Sequence, residues 1–423
     1  MSAALALRRG GFDGAIAIVD SDPREPYERP PLSKTLLSNH ASLLKPIVDP
    51  ATYREEGIDL LGGLGVCGLD SGAHRVLLDD GTALDADRVL LATGVAARDL
   101  NLVSGPRPNV LRLRTADDAG ALATWLARGG PLVIVGGGFI GLELAAEARR
   151  AGIDTTVVEM APLPLYGPAG PAIGQLVREL HEANGVRFHL STTVAAMNST
   201  HTSREVHEVV LNDGTRLPAA VVVVGVGVIP RDELARSAGV ATDGGIVVDE
   251  YGRTENPWLW AAGDVASQPH PHLQTRGRIE HWDVALRHGE AVGLSMAGQL
   301  TALDAPPYFW SDQYDQTLQS FGRSRPGDTF VLRRDATPAR FLGFWLRDSQ
   351  VAAVMGLDCP REVRAGKQLI ESGVTITANE LADPDTDLRA ISRRGALAKP
   401  RTEISQGISG QPADRHAGSP RST

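Results

Sequence analysis

Short apolar runs closed by glycine or an acidic residue alternate with longer stretches of helical period along most of this chain. The clearest is Leu132 to Val135, a β-branched run that passes through Gly136-Gly137-Gly138-Phe139-Ile140-Gly141 into an Ala/Leu/Glu-rich stretch. That stretch is predicted to be helical from Leu142 to Ala151, and a second apolar run, Thr155 to Val158, ends on Glu159. Strand, glycine turn, helix and strand in this order predict a βαβ unit of a parallel sheet. Val221 to Val224 is unbroken valine, the pattern of a parallel strand buried on both faces.

A second such unit is legible on either side of the first. Ser2 to Arg9 reads as an amphipathic helix stopped by Gly10-Gly11, and Ala15 to Val19 as a strand closed by Asp20-Ser21-Asp22. These are the helix and second strand of another dinucleotide-binding half, without its first strand or phosphate loop. Asp79-Asp80-Gly81 after Val76 and Leu211-Asn212-Asp213-Gly214 are hairpin signals. Arg88 to Ala92, closed by Thr93-Gly94, is a further strand, as are Ile246 to Val248 and Leu259 to Ala261. The last runs into Ala262-Gly263-Asp264, and a helix is predicted from about Val284 to Gly298.

From Tyr308 the period changes to alternating strands (329–333, 340–346 and 351–355) and then a helix near 362–371, the pattern of a separate α+β domain. From Ser392 onward the chain is rich in Gly, Ser, Pro and Arg without apolar period, which predicts a disordered tail over 392–423.

Composition narrows the function. The 423 residues are too many for one ordinary core, so several domains are expected. A net charge of −9 argues against a general nucleic-acid binder. Cys67 and Cys359 stand far apart with no CxxC, which excludes a dithiol redox pair and a Cys-ligated iron–sulfur or zinc site among these residues. The longest apolar run, Ala219 to Pro230, falls well short of the roughly twenty residues that span a bilayer. Ala3 to Leu7 is a short run followed, not preceded, by Arg8 and Arg9, so no secretory signal is expected and the default location is cytoplasmic. No metal site is expected, and the eleven histidines, His270 and His272 included, read as surface or loop residues.

Candidate chemistry starts at the glycine turn. Gly136, Gly138 and Gly141 provide the tight turn, the close approach of backbone to pyrophosphate and the close helix-on-strand packing of a dinucleotide site, with Phe139 and Ile140 between them. Glu159 stands where an acidic side chain takes the ribose hydroxyls of NAD, and it repels a 2′-phosphate. Met160 to Leu165 holds no Arg or Lys to bind that phosphate, so NADH is expected over NADPH. In Pro26-Tyr27-Glu28-Arg29-Pro30-Pro31-Leu32-Ser33-Lys34 the prolines stiffen the backbone that carries Arg29 and Lys34.

Taken in order, PYERPPLSK, LLATG, GGGFIGLELAAE, VVGVGVIP, AAGDVA and YFWSDQY resemble the oxygenase-coupled NADH–ferredoxin reductases over about residues 1 to 390. These are FAD flavoproteins of the glutathione-reductase-like superfamily. The resemblance implies an α/β fold with two dinucleotide-binding domains and a C-terminal α+β interface domain. Residues 1–104 and 238–306 correspond to the FAD domain, 105–237 to the NAD domain and 307–391 to the interface domain.

It also implies roles. Lys34 matches a lysine near the flavin that pairs with the glutamate matched by Glu143. Ser21, Arg29, Val66, Thr93, Gly94, Arg114, Gly263, Asp264 and Trp282 match FAD-contacting positions. Gly136, Gly138, Phe139, Ile140, Gly141, Glu159 and Gly227 match NAD-contacting ones, and Tyr308 and Trp310 the partner-facing side. The implied activity passes electrons from NADH through FAD to a [2Fe–2S] ferredoxin that serves a P450 or dioxygenase. A diaphorase or NADH oxidase without ferredoxin, and an NAD-binding module poor in FAD, are the alternatives.

One departure stands out. The family opens on its own G-x-G-x-x-G for FAD, and the sequence as written starts just after that position. A late start is one reading of this, and weakened FAD binding the other. Partner charge is equally open, because 323–399 holds thirteen basic and ten acidic residues, only a slight basic excess.

Overall fold

Residues 1–37, 44–100, 102, 105, 107–200, 204–334 and 340–398 are described by a computed structural model. The glycine-turn unit forms a five-stranded parallel sheet in the order Arg187–Leu190, Thr155–Glu159, Leu132–Val135, Val221–Val224, Val110–Leu111. Its central strands are buried on both faces. Leu144, Ala145 and Ala148 of the helix Phe139–Arg150 pack on one face with Leu122 and Leu126 of the helix Ala116–Leu126. The other face is covered by a three-stranded antiparallel meander, whose Met197, Val209 and Leu217 meet Val133 and Val135. The helix starts three residues before the predicted Leu142, because Gly138 acts as its N-cap in extended conformation.

Around this unit the remaining strands of residues 1–306 form small sheets, both parallel pairs and antiparallel ribbons such as Val66–Asp70, Arg75–Leu78 and Ala83–Asp85. Ile16–Asp20 pairs with Ile58–Gly62, and Val89–Leu91 with Leu259–Ala261, as two separate two-stranded sheets among the described residues. The helix Ser2–Arg9 packs along Trp282–Met296 so closely that a Cβ at Gly293 would strike the Ala3 backbone.

The C-terminal strands form a five-stranded antiparallel sheet in the order Tyr308–Gln313, Gln316–Gly322, Gln350–Leu357, Phe341–Arg347, Thr329–Arg334. One face carries the helix Pro360–Ser372, whose Val363, Leu369 and Ile370 join Phe344 and Val354 in a core. The other face does not meet solvent. Leu318, Phe341, Trp345 and Met355 pack on Leu142, Ile173 and Val177 of the nucleotide unit. That apolar seam holds the strand Tyr308–Gln313 against the helix Phe139–Arg150.

Two expectations are corrected. The segment predicted to be disordered from Ser392 begins inside a helix, Leu388–Ala398, because Leu388 and Ile391 dock on the core beneath Pro360–Ser372; residues 399–423 lie outside the described residues. His181, His270 and His288 are buried rather than on the surface or in loops: the first lies on a helix against the C-terminal sheet, the last on Trp282–Met296. Among the described residues no helix is long and apolar enough to cross a membrane.

Candidate active site

The segment Pro30-Pro31 does what its fixed φ predicts and starts a one-turn helix, Pro31–Lys34. Leu32 and Leu36 are buried in the core shared with the helix Ala116–Leu126. This anchoring carries Lys34 into the molecule, where Nζ donates to Glu143 Oε1 at 2.6 Å and lies 3.4 Å from Asp312 Oδ2. Glu143 is 4% exposed and its carboxylate is fully engaged. Ser33 Oγ donates to Oε2, and Ser311 Oγ donates to Oε1 at 2.6 Å. A buried ion pair is tolerable only when such additional donors satisfy the remaining lone pairs.

Aromatic rings line this pair. Lys34 Nζ is 5.7 Å from the Trp310 ring centroid, Trp310 meets Trp282 edge-on at 5.7 Å, and Tyr308 stacks beside Trp310 at 5.9 Å. Strand alternation explains the arrangement. Tyr308, Trp310 and Asp312 share one side of Tyr308–Gln313, whereas Ser311 on the other reaches Glu143, and Phe309 there packs on Phe139 with ring centroids 4.2 Å apart and planes tilted by 45°.

A second cluster centres on Arg114 and Asp264, whose Nη2 and Oδ2 are 3.2 Å apart. Burial raises the carboxyl pKa of Asp264 and, with the neighbouring Arg29, lowers that of the Arg114 guanidinium. Arg114 Nε is buried with no partner. A guanidinium left short of negative charge in this way is suited to an anionic group. Arg29 Nη1 donates to the Arg114 carbonyl, and the left-handed Gly94 passes close under the Arg114 guanidinium. Thr93 Oγ1 donates to the Arg231 carbonyl, while Gly263 N donates to His288 Nδ1. Val66 is half-buried in the strand Val66–Asp70, and Ser21 is exposed just after Ile16–Asp20. The structure therefore joins Arg29, Thr93, Gly94, Arg114 and Asp264, and leaves Ser21 and Val66 outside these contacts. Asp22, beside Ser21, is occupied by Arg24 and Tyr27.

The third cluster is the glycine turn. Gly136 has φ of +112°, and a Cβ there would collide with the Gly225 carbonyl. A Cβ at Gly141 would strike the Gly136 carbonyl, whereas at Gly138 it would meet nothing within 4 Å. The space above Gly138 and the first amides of the helix is thus open to a pyrophosphate, at the positive end of the dipole. Glu159 is set by two backbone donors, Gly137 N at 2.6 Å to Oε2 and Ala161 N at 2.7 Å to Oε1. Each oxygen keeps a lone pair for a hydroxyl. Ile140, Met160 and Ile229 are exposed apolar residues on or beside the turn, the acid and the left-handed Gly227.

Comparison with known proteins assigns the architecture. The model of the pyridine nucleotide-disulphide oxidoreductases matches residues 1–289, and a reductase C-terminal model matches residues 308–392. The chain belongs to the pyridine nucleotide-disulphide oxidoreductase family. It is 36% identical to rhodocoxin reductase of Rhodococcus erythropolis over 393 residues, 92% of each chain. It is 35% identical to putidaredoxin reductase CamA of Pseudomonas putida, covering 92% of this chain and 93% of that one. The covalent putidaredoxin reductase–putidaredoxin complex superposes with a TM-score of 0.89 at 34% identity, over 94% of this chain and 96% of that one. The fold is accordingly that of this family: two dinucleotide-binding units with a C-terminal reductase domain.

Three residues that touch Lys34 or Glu143 escaped the sequence reading, Ser33, Ser311 and Asp312, and so did two neighbours of Ser311: Gln313, whose amide donates to its Oγ, and His181, whose Nε2 faces Gln313 Oε1. The first four lie within PPLSK and YFWSDQY, and the polar residues alternating with aromatics in the latter were the available signal. His181 carried none, since it looks like one more histidine on an amphipathic helix.

Proposed function

We propose that this protein is an FAD-dependent reductase that takes a hydride from NADH and passes electrons to a [2Fe–2S] ferredoxin serving a P450 or a ring-hydroxylating dioxygenase. One observation carries the reading. Glu143 lies five residues beyond Gly138, about 7.5 Å of rise along the same helix. The helix that opens on the pyrophosphate cradle therefore also holds the carboxylate of the Lys34 pair, so a nicotinamide cofactor and a flavin share one rigid support.

A flavin bound here supplies hydride acceptance and the conversion of two-electron into one-electron transfer. The chain's own residues do the rest. Gly94, Arg114 and Asp264, with Arg29, Thr93 and Gly263, hold FAD, with Val66 and Ser21 toward its adenosine end. Gly136, Gly138, Gly141 and Gly227 with Phe139 and Ile140 receive NADH, and Glu159 selects it by accepting ribose hydroxyls. Lys34 supplies positive charge where reduction builds negative charge, and Glu143 makes a buried ammonium tolerable. Trp282 lies against the flavin, and Tyr308 and Trp310 exclude water on the side that faces the partner.

The FAD-binding region comprises 1–104 and 238–306, the NAD-binding region 105–237 and the interface region 307–391. The two unpaired cysteines suit a cytoplasmic setting. The reading rests also on the relatives, which are named as reductases of rhodocoxin and putidaredoxin. Anaerobic titration of the FAD-loaded protein tests it. NADH is expected to bleach the flavin stoichiometrically and NADPH to do so only at much higher concentration; a flavin that NADH leaves oxidised would refute it.

A further inference from the structure

The Lys34–Glu143 pair is the end of a longer hydrogen-bond chain whose direction follows from chemistry alone. A carboxylate only accepts, so Ser311 must turn its O–H toward Glu143 Oε1 at 2.6 Å. Ser311 Oγ is then an acceptor, and Gln313 Nε2 donates to it at 3.1 Å. That orientation leaves Gln313 Oε1 facing His181 Nε2 at 2.9 Å, which must carry a proton. Burial pushes His181 down to about 4, so the ring is neutral and Nδ1 accepts from Tyr314 O–H at 3.1 Å. Every donor in the series points toward Glu143.

Glu143, Ser311, Gln313 and His181 are each under 5% exposed. They lie on three elements: the helix Phe139–Arg150, the strand Tyr308–Gln313 and the helix Tyr166–Ala183. Aligned dipoles in a dry interior polarise one another and favour negative charge at the accepting end.

We propose that Ser311, Gln313 and His181 are positioning residues that hold the Glu143 carboxylate, and through it Lys34, at the flavin site. The inference rests on the functional reading above for the word flavin, but the geometry it asserts belongs to the chain alone. The series does not conduct protons, because an amide at Gln313 does not readily exchange one; it orients. Its consequence is that the C-terminal sheet, beyond lining the site with Tyr308, Trp310 and Asp312, supplies two of the three links that hold Glu143.

Trace acetylation of the purified protein by acetic anhydride, with the rate at Lys34 read by mass spectrometry, tests this without NADH or ferredoxin. Ser311→Ala and Gln313→Leu are each expected to raise the Lys34 rate several-fold at unchanged rates for exposed lysines, and Ser311→Thr, which keeps the hydroxyl, to restore it. Nitrogen-15 NMR is expected to find His181 protonated on Nε2 at neutral pH. An unaltered Lys34 rate in both deletion variants, or a His181 proton on Nδ1, would overturn the proposal. Failure of NADH to reduce the flavin would instead strike the functional reading and leave these results standing.

Discussion

The backbone amide of Gly137 donates to Glu159 Oε2 at 2.6 Å, tying the phosphate turn to the acidic end of the neighbouring strand. The carboxylate is thereby set before any cofactor arrives. Glu159→Ala is expected to raise the Michaelis constant for NADH about tenfold or more, the equivalent of about 1.4 kcal/mol, and to narrow the preference over NADPH. Steady-state kinetics with both nucleotides check it. An unchanged ratio removes Glu159 from the selective role.

Gly138 and Gly141 are expected to separate binding from folding. Gly138 has φ of −80° and open space where a Cβ would go, so Gly138→Ala should fold normally yet obstruct the pyrophosphate. Gly141→Ala drives a methyl into the Gly136 carbonyl and should lower stability by about 1 to 3 kcal/mol. Thermal unfolding and NADH binding, measured on both variants, check the contrast. Equal effects on Tm would contradict it.

Lys34→Ala strands Glu143 as a buried carboxylate held only by Ser33 and Ser311. Breaking a buried pair in this way costs about 3 to 5 kcal/mol. Flavin reduction by NADH is expected to slow by at least tenfold while NADH affinity changes little, because the glycine cradle is untouched. Rapid-mixing reduction at saturating NADH reads this. A rate equal to the parent's would make the pair purely structural.

How much of this was legible beforehand depends on how locally each feature is encoded. The glycine turn, the Glu159 strand and both hairpins were readable because turn chemistry and apolar period act over a few residues. The match of PPLSK and GGGFIGLE brought Lys34 and Glu143 together on paper across 109 residues, and the structure has them in contact. The Ser311–Gln313–His181 series could not be read, since it arises only where the C-terminal sheet packs on Ile173 and Val177. Burial of His270 and His288 was not legible either, because it arises from tertiary packing around the strand Ala266–His270 and the helix Trp282–Met296. The helix past Ser392 was missed because its anchors, Leu388 and Ile391, lie ahead of the low-complexity composition that masked it.

Those buried histidines make stability sensitive to acid. His181, His270 and His288 are each pushed down to about 4, chiefly by burial, from an ordinary value of 6.5. The unfolded chain binds the extra protons between these values, so their contribution is complete above about pH 6.5 and is lost as pH falls toward 4. A fully buried one such as His181 contributes up to about 3 kcal/mol to that loss. Urea unfolding from pH 7 to pH 4 should show a steep fall in stability, shallower in His181→Leu. A flat profile over this range would contradict the burial assigned to these rings.

The central claim is that NADH oxidation at this site delivers electrons singly to a [2Fe–2S] partner. The direct measurement is an anaerobic mix of the FAD-loaded protein, excess oxidised [2Fe–2S] ferredoxin and limiting NADH, with the iron–sulfur absorbance followed to completion. Two ferredoxins reduced per NADH, with the reaction abolished when FAD is left out, is the result expected. NADH consumed with no ferredoxin reduced, or ferredoxin reduced equally well without FAD, would contradict the account.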